Sequence, residues 1–125
     1  MARVLLATND STLIDILDAE MSGEGHDVLW ATDGQAAYAR AVAEMPNLVL
    51  ADVALPVFNG FELCAMLTAD PDVPARLPIH LLSDDAVEPH LRERVGAAGV
   101  FPKSHQAHQL RELLASVTRD MPSEE

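Results

Sequence analysis

The chain has 125 residues, of which 20 are acidic and 8 basic, giving a formal net charge of −12 at pH 7. That length fits one domain, and a hydrophobic content of 49% is enough for a folded core. The acidic balance argues against nucleic acid and anionic membrane as direct partners, because both repel negative charge. A single cysteine permits no intrachain disulfide, and no apolar run reaches the roughly 18 residues that span a bilayer, so a cytoplasmic protein is expected.

Short apolar runs alternate with amphipathic stretches, and this pattern predicts strands alternating with helices. The predicted domain covers residues 1–120, and residues 121–125 are predicted to form a short C-terminal tail. In chain order the predicted elements are a strand at 4–7, a helix from a cap at 10–11 to a stop at 23, a strand at 28–31, a helix at 33–44, a strand at 48–51, a helix at 61–69, a strand at 79–82, a helix at 86–95, a strand at 100–101 and a helix at 105–118.

This strict alternation of five strands with five helices determines the expected fold class. Strands joined by helical crossovers run parallel, and helices then cover both faces of the sheet. The prediction is therefore an α/β fold, a doubly wound five-stranded parallel sheet in the flavodoxin-like order 2-1-3-4-5.

Ligands of such a sheet bind beyond the carboxyl ends of its strands. The first strand delivers Thr8 and Asn9 to that edge, the third delivers Asp52, the fourth Ser83 and the fifth Lys103. A carboxylate can attack phosphorus and form an aspartyl phosphate, and a lysine can neutralise the phosphoryl oxygens. Lys103 is the only lysine in the sequence, so its predicted position at this edge of the sheet is informative about function.

A set of motifs in a fixed order extends over residues 3–118. They are Val4-Leu5-Leu6-Ala7, Asp33-Gly34, Pro46-Asn47-Leu48-Val49-Leu50-Ala51-Asp52, Leu55-Pro56, Asn59-Gly60-Phe61-Glu62-Leu63, Pro78-Ile79, Ser83, Gly96-Ala97, Gly99 and Lys103. In this order and spacing the chain resembles the response-regulator receiver domain, the family of the chemotaxis response regulator.

The resemblance implies a stand-alone signalling module of a two-component phosphorelay rather than an enzyme. Asp52 matches the phosphoacceptor, Ser83 the hydroxyl that binds a phosphoryl oxygen, and Lys103 the lysine that pairs with the aspartate and its phosphate. The implied partner is a histidine kinase or another signalling protein. The face formed by the fourth helix, the fifth strand and the fifth helix is the expected surface for a partner or a homodimer.

The chain departs from this family at the magnesium site. Thr8 and Asn9 stand where the family has two acidic residues, while Asp10 is expected to cap the first helix. Asp52 would then be the sole anionic ligand, beside the neutral oxygen of Asn9 and the backbone carbonyl of Ala54. Magnesium prefers carboxylates, so a weak metal site and weak or absent phosphorylation are expected.

Three further departures also concern the activation machinery. Asp84 stands where the family has a small residue, and it would either repel a phosphate donor or supply part of the missing negative charge. Ser104 replaces a proline after Lys103, so the loop before the last helix is expected to be less rigidly set. Val100 replaces an aromatic switch residue. The chain is therefore predicted to be an atypical, or degenerate, receiver.

The same residues allow alternative interpretations. Asp52 and Lys103 could form a purely structural ion pair, with Ser83 capping a strand end. A phosphorylation-independent docking module would use the same fold. A flavodoxin-like electron carrier is disfavoured because the loop from Thr8 to Leu13 holds no glycine, and an aspartyl-nucleophile hydrolase because no second acid follows Asp52.

Other residues receive structural interpretations. Cys64 is expected in the core, Trp30 as a packing residue at the end of the second strand, and His80 as a buried, hydrogen-bonded histidine. His90, His105 and His108 are expected at the surface. The acidic side chains predicted to cap the fourth helix are Asp84, Asp85 and Glu88.

Overall fold

The computed structural model describes residues 2–120, and the predicted tail at 121–125 lies outside them. The described residues form one five-stranded parallel sheet in the order β2-β1-β3-β4-β5, as predicted. The elements are β1 (Arg3–Ala7), α1 (Ser11–Gly23), β2 (Asp27–Ala31), α2 (Gly34–Glu44), β3 (Leu48–Asp52), α3 (Gly60–Ala69), β4 (Ile79–Leu82), α4 (Pro89–Val95), β5 (Gly99–Phe101) and α5 (Ala107–Asp120).

Two apolar layers cover the sheet. On one face α2, α3 and α4 contribute side chains such as Ala37, Leu63 and Val95. On the other face α1 and α5 contribute side chains such as Leu17 and Leu110. The central strand β3 is buried along its whole length, as expected for a parallel sheet covered on both sides.

The strand register aligns the carboxyl ends that carry the polar residues. Ala7 of β1 lies opposite Ala51 of β3, so the residues that follow them, Thr8 and Asp52, are neighbours. Asp52 in turn lies opposite Leu82 of β4, one residue before Ser83. The predicted convergence at this edge therefore follows directly from the pairing.

Side chains at the helix starts fix where the loops end. Asp10 caps α1, accepting from the backbone amides of Thr12 and Leu13, as predicted. Asn59 and Glu62 form a reciprocal capping box at α3. No helix within residues 2–120 is long and apolar enough to cross a membrane.

The fourth and fifth helices begin later than predicted. The start of α4 is Pro89 rather than residue 86, because proline disfavours helical backbone at the residue before it and suits the first turn. Glu88 supplies the cap, accepting from the backbone amide of His90. The start of α5 is Ala107, which leaves His105 in the preceding loop.

Predictions for individual core residues are confirmed in one case and wrong in another. Cys64 is buried, and its thiol donates to the backbone carbonyl of Val95 at 3.1 Å. Trp30 is 53% exposed, because β2 is an edge strand that pairs only with β1, and its indole lines an open apolar groove beside α2. His80 is half-buried against Gly99.

Candidate functional site

The candidate site is centred on the Asp52 carboxylate, which is 1% exposed at the end of β3. The Nζ atom of Lys103 lies 2.9 Å from Asp52 Oδ1, and the backbone amide of Ala54 donates to the same oxygen at 2.9 Å. The Lys103 side chain keeps 28% of its surface exposed. The ammonium therefore reaches inward from the rim of the site to a buried anion.

Thr8 binds the other oxygen of the same carboxylate. Its hydroxyl donates to Asp52 Oδ2 at 2.7 Å, and the backbone amide of Asp10 donates to Thr8 Oγ1 at 3.2 Å. Thr8 is fully buried. The sequence indicates Thr8 only as a missing metal ligand, although the predicted adjacency of the first and third strands is a signal that points to this bond.

The donor set around Asp52 is poor in the charged oxygen ligands that magnesium prefers. Both carboxylate oxygens already accept hydrogen bonds or an ion pair, and a hydroxyl and an amide stand where magnesium favours carboxylates. Asn9 is exposed, and the Asp10 carboxylate is committed to the α1 cap. Among residues 2–120, no group of three or more His, Cys, Asp or Glu side chains could hold a metal.

Ser83 lies at the same edge but bonds within its own loop. Its hydroxyl donates to the backbone carbonyl of Asp85 at 3.0 Å and accepts from the Asp85 amide at 3.1 Å. The side chain is nearly buried, at 6% exposure. This local turn is the kind of contact that the strand-end cap interpretation of Ser83 predicts.

Asp84, in the loop after β4, bonds to the loop after β5 beside the site. Its Oδ1 atom accepts from both the backbone amide and the hydroxyl of Ser104, at 2.9 and 3.0 Å. The Ser104 amide is the largest cause that holds the pKa of Asp84 below its usual value, and the Lys103 charge contributes in the same direction. The prediction that Asp84 caps α4 is wrong, because its carboxylate bonds to Ser104, and Glu88 fills the cap position.

His105 is not a surface residue, contrary to the prediction. Its side chain is 3% exposed, and its Nε2 atom lies 2.8 Å from Glu20 Oε1 on α1. The ring packs on Phe101 with centroids 5.1 Å apart, and Nδ1 lies 3.4 Å from the Lys103 carbonyl. Because α5 begins only at Ala107, the loop backbone can turn this side chain toward α1.

A family model and two curated relatives point to the same protein family. The family model for the response regulator receiver domain matches residues 4–115. The response regulator PleD of Caulobacter vibrioides is 32% identical over 82 residues, which are 66% of this chain and 18% of PleD. The DNA-binding response regulator MtrA of Mycobacterium tuberculosis is 38% identical over 72 residues, 58% of this chain and 32% of MtrA. The chain thus spans less than a third of either relative.

Solved structures agree in fold. The chemotaxis protein CheY4 of Vibrio cholerae superposes with a TM-score of 0.85 at 26% identity, covering 94% of this chain and 98% of that one. The receiver domain of the sensor histidine kinase PA1611 from Pseudomonas aeruginosa PAO1 gives 0.84 at 22% identity, covering 95% and 98%. That second structure has a magnesium ion coordinated in its active site cleft.

Proposed function

The chain belongs to the response regulator receiver domain family, and from that premise we propose a receiver whose magnesium-dependent phosphorylation is weak or absent. Asp52 occupies the phosphoacceptor position, and its signalling partner is a histidine kinase or another protein of a two-component system. One observation carries the proposal: both oxygens of the Asp52 carboxylate are already held, one by Lys103 and one by Thr8.

Phosphoryl transfer to a carboxylate makes two demands on the site. The attacking oxygen needs a lone pair directed at phosphorus, and cations must neutralise charge on the moving phosphoryl group. Lys103 and Ala54 occupy both acceptor sites of Oδ1, so attack would use Oδ2, whose nucleophilicity is lowered by the hydrogen bond from Thr8. Thr8 and Asn9 supply no carboxylate to hold a metal at that oxygen. The activation free energy of phosphorylation is therefore raised for two reasons: the attacking oxygen already accepts a hydrogen bond, and no metal ion is held to neutralise the phosphoryl group.

Incubation with acetyl phosphate and magnesium, read by intact mass and by a phosphate-affinity gel, tests the proposal. Little modification of the wild-type chain is expected. The double variant Thr8→Asp with Asn9→Asp restores an acidic pair and should increase the yield of phosphoprotein. Adding Asp52→Asn to that double variant should abolish the increase and so locates the modification.

Near-stoichiometric phosphorylation of wild-type Asp52 would overturn the proposal. Formation of a beryllium fluoride complex at a low magnesium concentration would argue against the proposal in the same way. Shifts of backbone amide resonances detect that complex. The acidic double variant serves as the positive control for both assays.

A phosphorylation-independent docking module is the second candidate. It is favoured by the closed Asp52–Lys103 pair, since the lysine has a buried anionic partner without any phosphate. For a histidine kinase that binds the chain, this function predicts the same Kd for the wild type and Asp52→Asn. A homodimer through α4, β5 and α5 belongs to the same proposal, and sedimentation velocity would detect it.

A further inference from the structure

Asp84 and Ser104 connect two loops that leave the sheet beside the candidate site. Backbone pairing between β4 and β5 ends with the Ser83 amide, which donates to the Phe101 carbonyl at 3.1 Å. Beyond that point Asp84 Oδ1 accepts both the amide and the hydroxyl of Ser104. A side chain therefore continues the connection between the two chain segments where the strand ladder stops.

We propose that Asp84 is a positioning residue that holds Lys103 against Asp52 by fixing the backbone of Ser104. Lys103 lies directly before Ser104, and its flexible side chain must reach 2.9 Å from a buried oxygen while 28% exposed. Ordering a lysine side chain costs conformational entropy, and a partly exposed ion pair recovers little of it unless the backbone is already placed. The proposal rests on the Asp52–Lys103 pair of the proposed function, but not on phosphoryl transfer.

The contacts on the opposite side of this segment support a fixed backbone. His105 packs on Phe101 and contacts Glu20 of α1. Ser104 is thus held from the β4–α4 loop and His105 from α1, and Lys103 directly precedes this pair. The sequence predicts a loosely set loop here, and these two contacts are the features that oppose such looseness.

The test uses the fact that Lys103 is the only lysine in the chain. An N-hydroxysuccinimide ester acetylates free amines, and an ammonium held against a carboxylate reacts slowly. Peptide mass spectrometry measures the acetylation rate at Lys103, without magnesium or a phosphate donor. Asp84→Ala should raise that rate about two- to fivefold, the range expected for losing one partly exposed charged contact. Asp52→Asn, which removes the ion-pair partner, sets the upper reference.

Two variants distinguish positioning from a simple effect of charge. Asp85→Ala removes the neighbouring carboxylate but keeps the backbone groups that bind Ser83, and it should label at the wild-type rate. Asp84→Asn keeps an acceptor oxygen for Ser104 without the charge, and it should restore most of the protection. If Asp84→Asn labels as fast as Asp84→Ala, the carboxylate acts through its charge on Lys103 and the proposal is overturned.

A third variant keeps the test decisive if Asp84→Ala does not fold. Ser104→Ala removes one of the two bonds and should give a smaller increase in the same direction. Wild-type labelling rates in folded Asp84→Ala, or in Ser104→Ala when Asp84→Ala is unfolded, would overturn the proposal. Because no phosphate is involved, robust phosphorylation of Asp52 would refute the proposed function and leave this result unaffected.

Discussion

Thr8 donates a hydrogen bond to Asp52 at 2.7 Å, and both side chains are almost completely buried. The bond joins adjacent strands, because Ala7 and Ala51 are paired in the register just before these two residues. This bond gives the threonine at this position a structural role. Thr8 lacks the charge to hold a metal, but it donates to an oxygen of the buried Asp52 carboxylate that would otherwise have no hydrogen-bond donor.

The first prediction concerns this hydroxyl. Thr8→Val keeps the shape of the side chain and leaves Asp52 Oδ2 without its donor, so the free energy of unfolding should fall by about 1–3 kcal/mol. Urea denaturation followed by circular dichroism measures the change. Thr12→Val is the matched control at an exposed position and should lie within about 0.5 kcal/mol of the wild type. Equal effects of the two substitutions would contradict the assigned role of Thr8.

The second prediction concerns an asymmetry in the Asp52–Lys103 pair. Lys103→Met leaves a carboxylate at 1% exposure without its cation, and should destabilise the fold by about 2 kcal/mol. Asp52→Asn should cost less, because the released lysine is already 28% exposed and can extend into water. Urea denaturation of both variants and of the double variant gives the coupling energy. A larger loss for Asp52→Asn than for Lys103→Met would contradict this order.

Local sequence patterns predict most of the scaffold. The strand at 79–82 is observed with the predicted bounds, and the predicted cap Asp10 is confirmed. These features depend on neighbouring residues: apolar runs, turn residues and capping side chains. The positions of Asp52 and Lys103 could also be anticipated, because strand order alone brings the carboxyl ends of parallel strands to one edge.

The errors involve contacts between residues distant in sequence. The Asp84–Ser104 and Glu20–His105 contacts connect positions 20 and 85 residues apart, and nothing in the local pattern of either partner indicates them. Tertiary contacts of this kind override residue-type preferences. The exposure of Trp30 has a different origin, because the predicted strand order already places β2 at the sheet edge and residue type alone led to the expectation of burial.

The third prediction uses the chain's single cysteine as a probe of how often the folded core becomes accessible to solvent. Burial raises the pKa of the Cys64 thiol to about 11, while a hydrogen bond with Thr68 acts in the opposite direction. Iodoacetamide reacts with the thiolate, so at pH 8 the folded protein should be modified far more slowly than the denatured one. Complete reaction in denaturant is the control. Rapid alkylation of the native protein would place Cys64 outside the core.

The fourth prediction concerns the pH dependence of stability. Burial, with a smaller contribution from the Arg92 charge, lowers the pKa of His80 in the folded state. Above the ordinary histidine pKa of about 6.5 the ring is neutral in both states, so it adds no pH dependence there. As the pH falls below that value the unfolded chain takes up the proton more readily, and stability is lost until the folded-state pKa is reached. Over that window, His80→Gln should flatten the slope by up to about 1.4 kcal/mol per pH unit in urea denaturation series. His108→Gln, at an exposed position, should leave the slope unchanged, and an equal flattening by both substitutions would contradict the role of His80 burial.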